Sequence, residues 1–289
     1  MKILLLGSSG LLGTVLNFYL NKNFNKIYTH SFRNKADFNI DLTNIDKTYY
    51  LIQNLKPDII INCTGLTNVD DCERNNILAH KINSEIVLNI VKGCNNLKTW
   101  IIHFSTDHVY NDNIYNKEHN IKLTNVYSYS KFNGEKNLKQ YNSLILRVNF
   151  FAIINKIFLK KETFSQWVLN SYKEKRSINL FKDVFFSPLL LDTLCLKLIE
   201  IIKKNYSISG TFNLGSISSI SKENLAKKII LSVLKEELNN CNSVSVNKYL
   251  DVIRPNFMQM NSEKIIKSTG ISLPTIDEEI QKLSRYFNS

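Results

Sequence analysis

The sequence predicts an α/β fold, a doubly wound parallel sheet joined to a smaller α+β domain, and three observations carry that prediction. Short, wholly apolar runs recur through the first half of the chain and alternate with segments of helical spacing. The first run ends in three of the chain's nine glycines, Gly7, Gly10 and Gly13. After about Phe150 the alternation weakens, and capped helices and glycine-bounded segments replace it.

Lys2–Leu6 is the first strand, because a strand buried on both faces reads as an unbroken apolar run. Gly7-Ser8-Ser9-Gly10-Leu11-Leu12-Gly13 follows, and then Val15, Leu16, Phe18, Tyr19 and Leu20 at helical spacing. Strand, glycine turn and helix in that order form the setting of a dinucleotide-binding Rossmann fingerprint. Gly7 permits the tight turn, Gly10 lets the backbone approach a pyrophosphate, and Gly13 lets the helix pack close to the strand. Lys26–Ser31 reads as the second strand. Where such folds often carry an acid for a ribose hydroxyl, about twenty residues beyond the glycines, this chain has Arg33 with Lys35 close by. A cation suits a 2′-phosphate, so NADPH is expected, with NADH as the alternative. The competing reading of Arg33 is a solvated loop residue.

Asp41-Leu42 leads into a helical stretch ending at Leu55. Pro57–Asn62 is the next strand and runs into Cys63-Thr64-Gly65-Leu66-Thr67-Asn68-Val69-Asp70, a polar loop at a strand's carboxyl end, where ligands sit in open α/β sheets. A helix from about Asn76 to Gly93 carries Ile82, Ile86, Val87, Ile90 and Val91 on one side. Asn83 interrupts that pattern as a candidate buried hydrogen-bonding group. Trp100–Phe104 is another central strand, ending in Ser105-Thr106-Asp107-His108-Val109-Tyr110. A helix follows from Tyr127 through Gly134-Glu135 to about Tyr141, and Ser143–Val148, with Arg147 near its end, is a further strand. The alternation βαβαβαβαβ, with right-handed crossovers, aligns the strand ends along one edge. On the last of these helices Tyr127 and Lys131 stand four apart and share a face. An ammonium there lowers the pKa of the phenol and readies it to exchange a proton near neutral pH.

Beyond Phe150, the residues Phe164, Trp167, Val168 and Tyr172 suggest an amphipathic helix. Phe185-Phe186-Ser187-Pro188 reads as a bend, Leu189–Lys203 as a helix and Gly210–Gly215 as a short strand. Ser221 is the N-cap of a helix to about Glu237, and Ile276–Phe287 is the last helix. No internal repeat or low-complexity linker separates the two parts.

The 289 residues, 44% hydrophobic and 21% charged, are those of an ordinary globular protein with a sizeable core. The formal charge of +12 invites a nucleic-acid reading, but the basic residues form no stripe: Lys173-Glu174-Lys175-Arg176 and Lys203-Lys204 are the densest runs. No apolar run spans a bilayer, and the apolar start breaks at Gly7, too early for a signal peptide. A cytoplasmic protein without nucleic-acid or membrane partners is expected. The five cysteines are expected to be reduced, and none forms the Cys-x-x-Cys pair of a metal or redox site.

In this order and spacing the motifs acquire a specific meaning. Gly7-x-x-Gly10-x-x-Gly13, Asp41-Leu42-Thr43, Pro57–Asn62, Thr67-Asn68-Val69-Asp70-Asp71-Cys72-Glu73 and Asn83 are followed by Phe104–Tyr110, Tyr127-x-x-x-Lys131 and Gly134-Glu135. Ser187-Pro188 and Arg254-Pro255, with Asn261 and Lys264, continue the pattern. Nearly end to end, the chain resembles an extended short-chain dehydrogenase/reductase of the dTDP-4-dehydrorhamnose reductase family. The resemblance implies NADPH-dependent reduction of a nucleotide-linked 4-keto-6-deoxysugar for cell-surface polysaccharide. Tyr127 is then the general acid for the C4 carbonyl, Thr106 polarises that carbonyl, and Lys131 tunes Tyr127 and holds the nicotinamide ribose. Cofactor contacts are expected from Gly7, Ser9, Gly10, Leu11, Leu12, Gly13, Arg33, Asp41 and Leu42, with Cys63, Thr64, Gly65 and Thr67 from the second loop. Thr67, Val69, Thr106, Asp107, His108, Asn149 and Arg254 are expected to face the nucleotide sugar. Residues 1–149 with about 189–215 form the expected cofactor domain, and about 150–188 with 216–289 the nucleotide-sugar domain.

The chain also departs from the family. Related 4,6-dehydratases carry Thr-Asp-Glu where this chain has Thr106-Asp107-His108, so elimination of water has no evident base here. The reductases usually have tyrosine at that position, so His108 fits neither pattern. Some family members hold magnesium at a dimer interface through an acid early in the first helix. Thr14-Val15-Leu16 offers none, so no metal is expected and the oligomeric state, monomer or homodimer, stays open. Asn149-Phe150-Phe151, with Lys160-Lys161 after it, also differs from the commonest pattern, which leaves the sugar open. The alternatives are an epimerase or a reductase of another nucleotide keto sugar and, from a different class, a non-catalytic NADP-binding subunit, as in the regulatory β subunit of methionine adenosyltransferase.

Overall fold

The computed structural model describes residues 1–112, 115–153, 162–204 and 206–288. In chain order it opens with β1 (Ile3–Leu6), α1 (Leu11–Asn23), β2 (Ile27–His30), α2 (Ile45–Leu55) and β3 (Ile59–Asn62). Three short helices follow, α3 (Val69–Arg74), α4 (Asn76–His80) and α5 (Ile86–Gly93), the last two joined by a π-helical turn, Lys81–Glu85. Then come β4 (Trp100–Thr106), α6 (Val126–Lys136) and β5 (Ser143–Val148). The remainder contains β6 (Phe150–Phe151), α7 (Phe164–Lys173), β7 (Ile178–Phe181), β8 (Phe185–Phe186), β9 (Leu189–Leu190), α8 (Leu191–Lys204) and β10 (Gly210–Leu214). It ends with β11 (Ile220–Ser221), α9 (Lys222–Leu234), β12 (Cys241–Val244), α10 (Val246–Tyr249), β13 (Phe257–Met258), α11 (Glu263–Thr269) and α12 (Ile276–Asn288).

The chain divides into two compact units. The first contains Met1–Thr106, Asn125–Arg147 and Cys195–Phe212; the second contains Asp107–Thr124, Val148–Leu194 and Asn213–Ser289. These limits differ from those drawn on the sequence, because Asp107–Thr124 and the start of α8 pack with the second unit.

The expected doubly wound sheet is present, with strand order β10-β5-β4-β3-β1-β2. β1 runs parallel to β2 (Ile3 opposite Ile27) and to β3 (Ile3 opposite Ile59), and β3 runs parallel to β4. The chain goes from β1 outward to β2 and returns to the other side of β1 as β3. That reversal opens a crevice beyond the carboxyl ends of β1 and β3, where the glycine turn and the Cys63 loop lie. Leu4, Leu6, Ile60, Ile101 and Ile145 fill one face of the sheet against Ile52, Ile90 and Val91 of α2 and α5. Full burial of each such side chain contributes roughly 1.5–3 kcal/mol, so the sheet is a stiff platform for the loops at its edge.

The second unit is built from smaller pieces. β8 pairs antiparallel with β11 and parallel with β13, and β7 pairs with β12. Leu169, Leu180, Phe186, Leu225, Ile229, Met258, Ile276 and Ile280 share its core. Two sequence expectations change here. Phe185-Phe186 is a strand, not a bend. Leu189-Leu190 is not the start of a helix: it pairs with Phe150-Phe151, and the Leu189 N–H donates to the Asn149 carbonyl (3.1 Å), so the helix begins at Leu191.

Candidate active site

The glycine turn is shaped by contacts that exclude a side chain. Gly7 has φ +78°, and a Cβ on it would lie 3.1 Å from both the Cys63 carbonyl carbon and the Thr64 nitrogen. A Cβ on Gly13 would lie 2.2 Å from the Gly7 carbonyl oxygen, so α1 rests directly on the turn backbone. Gly10 stands at the N-cap of α1; no side chain caps the helix and its first turn holds no acid. A helix start of this kind favours a phosphate. Leu12 is buried beneath it and Leu11 is half-buried. The Ser9 hydroxyl meets that of Ser31 at 2.8 Å, which ties the turn to the segment after β2. Arg33, on that segment, is exposed and stacks its guanidinium on Phe32, 5.3 Å from the ring centroid. The Asp41 carboxylate accepts from the Thr43 N–H and hydroxyl (2.9 and 2.7 Å), and the Leu42 carbonyl accepts from Asn89. The Asp41-Leu42 backbone is therefore fixed. The donor set fits the adenosine and pyrophosphate of a dinucleotide: uncapped N–H groups at a glycine turn, and a cation just past β2.

The loop after β3 is held from two sides. The Asn62 side chain accepts from the Thr64 N–H and hydroxyl (3.0 and 2.6 Å), and its amide meets Nδ1 of buried His103 (3.1 Å). Asn83, in the π turn, accepts from the Leu66 N–H (2.8 Å) and donates to the Leu66 carbonyl (3.0 Å) and the Ser130 hydroxyl (2.9 Å). Asn83 is thus the buried hydrogen-bonding group that its break in the apolar pattern suggested, and its side chain ties the loop to α6. The loop leaves Gly65 and Thr67 exposed and Cys63 and Thr64 half-buried, while Val69 is buried as the first residue of α3.

The three residues predicted to react, Thr106, Tyr127 and Lys131, all lie in the first unit and are buried. Thr106 ends β4. Asn125 caps α6 through a reciprocal capping box with Ser128, and this fixes the first turn, which carries Tyr127. Tyr127 is only 8% exposed, Lys131 4% and Thr106 4%. One turn past Tyr127, the Lys131 ammonium donates to the Phe104 carbonyl (2.6 Å), two residues before Thr106. Burial pushes Lys131 down to about 8, against the pull of Glu135. A methyl built on Gly65 would lie 3.8 Å from the Lys131 nitrogen, so the second loop borders the lysine.

The second unit holds the other predicted residues. Asn149 donates to the Asp107 carboxylate (2.6 Å), and Asp107 is buried. His108 is pushed down to about 3, first by burial and then by the charges of Lys222 and Arg254. It is a neutral imidazole at neutral pH. Lys222 was not singled out in the sequence, where it reads only as the first residue of a capped helix. Here it joins the group: it acts on His108, it faces Asp107 and Arg254, and burial pushes its own pKa down. The three-stranded sheet explains the convergence. Ser221 and Phe257 both pair with Phe185, so Lys222 and the approach to β13, which carries Arg254, lie at one end of β8. Lys160-Lys161 lies outside the described residues. Among the described residues the cysteines are free, no three His, Cys, Asp or Glu side chains gather as a metal site, and no helix is long and apolar enough to cross a membrane.

The profile of the family described as RmlD substrate binding domain matches residues 1–288. The chain belongs to the RmlD family. Among its relatives, the dTDP-4-dehydrorhamnose reductase of Escherichia coli K12 is 27% identical over 289 residues, covering 95% of this chain and 94% of that protein. A solved structure from Sulfolobus tokodaii, described as a hypothetical dTDP-4-dehydrorhamnose reductase, superposes with a TM-score of 0.82 at 27% identity over 96% of this chain and 98% of that one. The Bacillus anthracis dTDP-4-dehydrorhamnose reductase, solved in complex with NADP, covers both chains completely at 24% identity with a TM-score of 0.85, and so shows the RmlD-type fold.

Proposed function

We propose that this protein is an NADPH-dependent reductase of a nucleotide-linked 4-keto-6-deoxysugar, acting in polysaccharide biosynthesis. The observation that carries the reading is the hydrogen bond from Lys131 to the Phe104 carbonyl (2.6 Å). It sets the ammonium one turn from the buried Tyr127 phenol and ties α6 to the strand that ends in Thr106. The E. coli relative, named for dTDP-4-dehydrorhamnose reduction, and the B. anthracis structure with NADP support the same chemistry.

NADPH, when bound, supplies the hydride. Tyr127 donates a proton to the carbonyl oxygen, which is worth roughly 10²–10⁴ in rate for a well-placed acid. Thr106 hydrogen-bonds the same oxygen and polarises it. Lys131 stabilises the phenolate that Tyr127 becomes and holds the cofactor's ribose. The glycine turn, from Gly7 to Gly13, takes the pyrophosphate, and Arg33 selects the 2′-phosphate. Asp41-Leu42 and the loop Cys63-Thr64-Gly65-Thr67 border the cofactor, and Thr67 and Val69 also border the sugar. In the second unit Arg254 and Lys222 provide positive charge for the substrate's diphosphate. Asp107, His108 and Asn149 contact the sugar nucleotide. His108, where a dehydratase has glutamate, is neutral and not a strong base, which favours reduction over loss of water. The same reading assigns the protein to the cytoplasm, as a monomer or homodimer, without nucleic-acid or membrane partners.

A reductase of a different nucleotide keto sugar is the second reading. It is favoured by the commitment of Asn149 to Asp107 and by Lys222, features of the sugar-binding side that need not suit the rhamnose precursor. Both readings are tested by mixing the protein with NADPH and a panel of nucleotide 4-keto sugars and following oxidation of the cofactor. Turnover that falls at least about 100-fold in Tyr127→Phe is expected. No turnover with any member of the panel overturns the proposal.

A further inference from the structure

Glu135 is a buried acid with no part in the chemistry above, and its surroundings tie it to the residues that have one. It lies four residues after Lys131 on α6, hence on the same helix face. Arg147 grips it bidentately, Nε to Oε1 at 2.9 Å and Nη2 to Oε2 at 2.6 Å, and both side chains are almost wholly buried. The Ser105 hydroxyl donates to Oε1 at 2.5 Å. The next residue back, Phe104, receives the Lys131 ammonium through its carbonyl. Two side chains one turn apart on α6 thus hold two consecutive residues of β4, immediately before Thr106.

We propose that Glu135 is a positioning residue for the reduction: its carboxylate keeps the Lys131 ammonium charged and holds the end of β4 in register with α6. The proposal rests on the reductase reading for its kinetic consequences, but the state of Lys131 can be read without substrate. Several groups face the ammonium. They are Glu135 on its own helix, Cys63 after β3, Cys72 on α3 and His103 on β4, with Tyr127 one turn back on the same helix face and Arg147 of β5 paired to Glu135. Burial pushes the Cys63 thiol up and the Cys72 thiol up to about 11, and holds His103 well below its ordinary value. These three are neutral near pH 7, which leaves the carboxylate as the anion opposing the burial of Lys131.

A buried Arg–Glu pair also fits a purely structural clamp, and the experiment separates the two roles. The protein is labelled at lysine Cε, the Lys131 signal is assigned by its absence in Lys131→Met, and its titration is followed by NMR. In Glu135→Gln the Lys131 midpoint is expected to fall by about one pH unit. The alkaline limb of kcat then moves down with it, and kcat at pH 8 falls about fivefold, with KM little changed. Removing one partner of a buried pair strands the other charge and endangers the fold, so thermal melting is measured first. Glu135→Gln with Arg147→Met leaves no lone charge and decides the matter if the single variant unfolds; its Lys131 midpoint is expected to fall in the same direction. A folded variant with an unmoved Lys131 midpoint overturns the proposal and leaves Glu135 a structural clamp. Absence of keto-sugar turnover in the unmodified protein overturns the reductase reading instead, and the NMR titration still decides this one.

Discussion

Gly134 and Asn83 meet so closely that a Cβ on Gly134 would lie 2.3 Å from the Asn83 carbonyl oxygen. The helix that carries Tyr127 and Lys131 therefore lies against the backbone of the π turn, and its position is set there by the absence of one methyl group. Gly134→Ala is expected to push α6 away, costing about 1–3 kcal/mol of stability. Turnover should fall further than cofactor binding, because Tyr127 and Lys131 move while the glycine turn does not. Thermal melting and steady-state rates measure both, and an unchanged melting temperature with full turnover contradicts the packing argument.

The glycine turn and the cation after β2 do different work, so their variants should differ in kind. Gly13→Ala places a methyl against the Gly7 carbonyl and is expected to weaken NADPH and NADH alike. On the proposed function Arg33→Ala removes the partner of a 2′-phosphate, and it is expected to weaken NADPH about tenfold, near 1.4 kcal/mol, with NADH unaffected. Calorimetric titration with the two cofactors reads this directly. Unchanged NADPH binding in Arg33→Ala would make it a plain surface arginine, and equal losses for both cofactors would exclude the 2′-phosphate as its partner.

His108 predicts an acid-sensitive fold. Burial pushes its folded-state pKa down to about 3, from the ordinary histidine value of 6.5. The folded form therefore binds fewer protons than the unfolded chain between those values. Stability is unaffected above about pH 6.5 and declines as the pH falls toward 3. Down to pH 4.5 this group alone should cost roughly 2 kcal/mol. His108→Gln lacks the titration, so urea unfolding at pH 7 and 4.5 should show a smaller loss than in the unmodified protein. Identical losses in the two proteins would place the acid sensitivity elsewhere.

Lys222 is expected to act on binding and not on the chemical step. Lys222→Met should raise the dissociation constant of dTDP or UDP about tenfold and steepen no step in turnover at saturating substrate, since one phosphate contact is worth on the order of 1–2 kcal/mol. A fall in kcat with unchanged binding would exclude a role in gripping the diphosphate.

The first unit was legible because its signals repeat. Apolar runs such as Ile59–Ile61 recur with helices of a period that cannot be mistaken for strand, and Gly7, Gly10 and Gly13 name their own geometry. Tyr127, Lys131 and Thr106 could be read together because the motifs between them kept their spacing. The second unit was less legible. Strands of two residues, such as Phe185–Phe186 or Ile220–Ser221, are too short to show a period, and their pairing is decided by tertiary contacts. Lys222 is a residue of this kind: its neighbours His108 and Arg254 are more than thirty positions away and local pattern says nothing of them. Glu135 and Arg147 each stand out in the sequence, but their pairing between α6 and β5 is a tertiary contact that local pattern does not show.

The π turn at Lys81–Glu85 has a consequence for how this chain tolerates change in length. Surface loops accept an inserted or deleted residue with little penalty, but a helix counts residues by angle, about 100° for each. A single deletion within Lys81–Glu85 would convert the widened turn to ordinary α-helix and rotate everything on its N-terminal side by that angle. Asn83 would then face away from Leu66 and Ser130, and the second loop would lose its tie to the helix bearing Tyr127. The number of residues in this turn, and not only their identity, therefore sets which way Asn83 points.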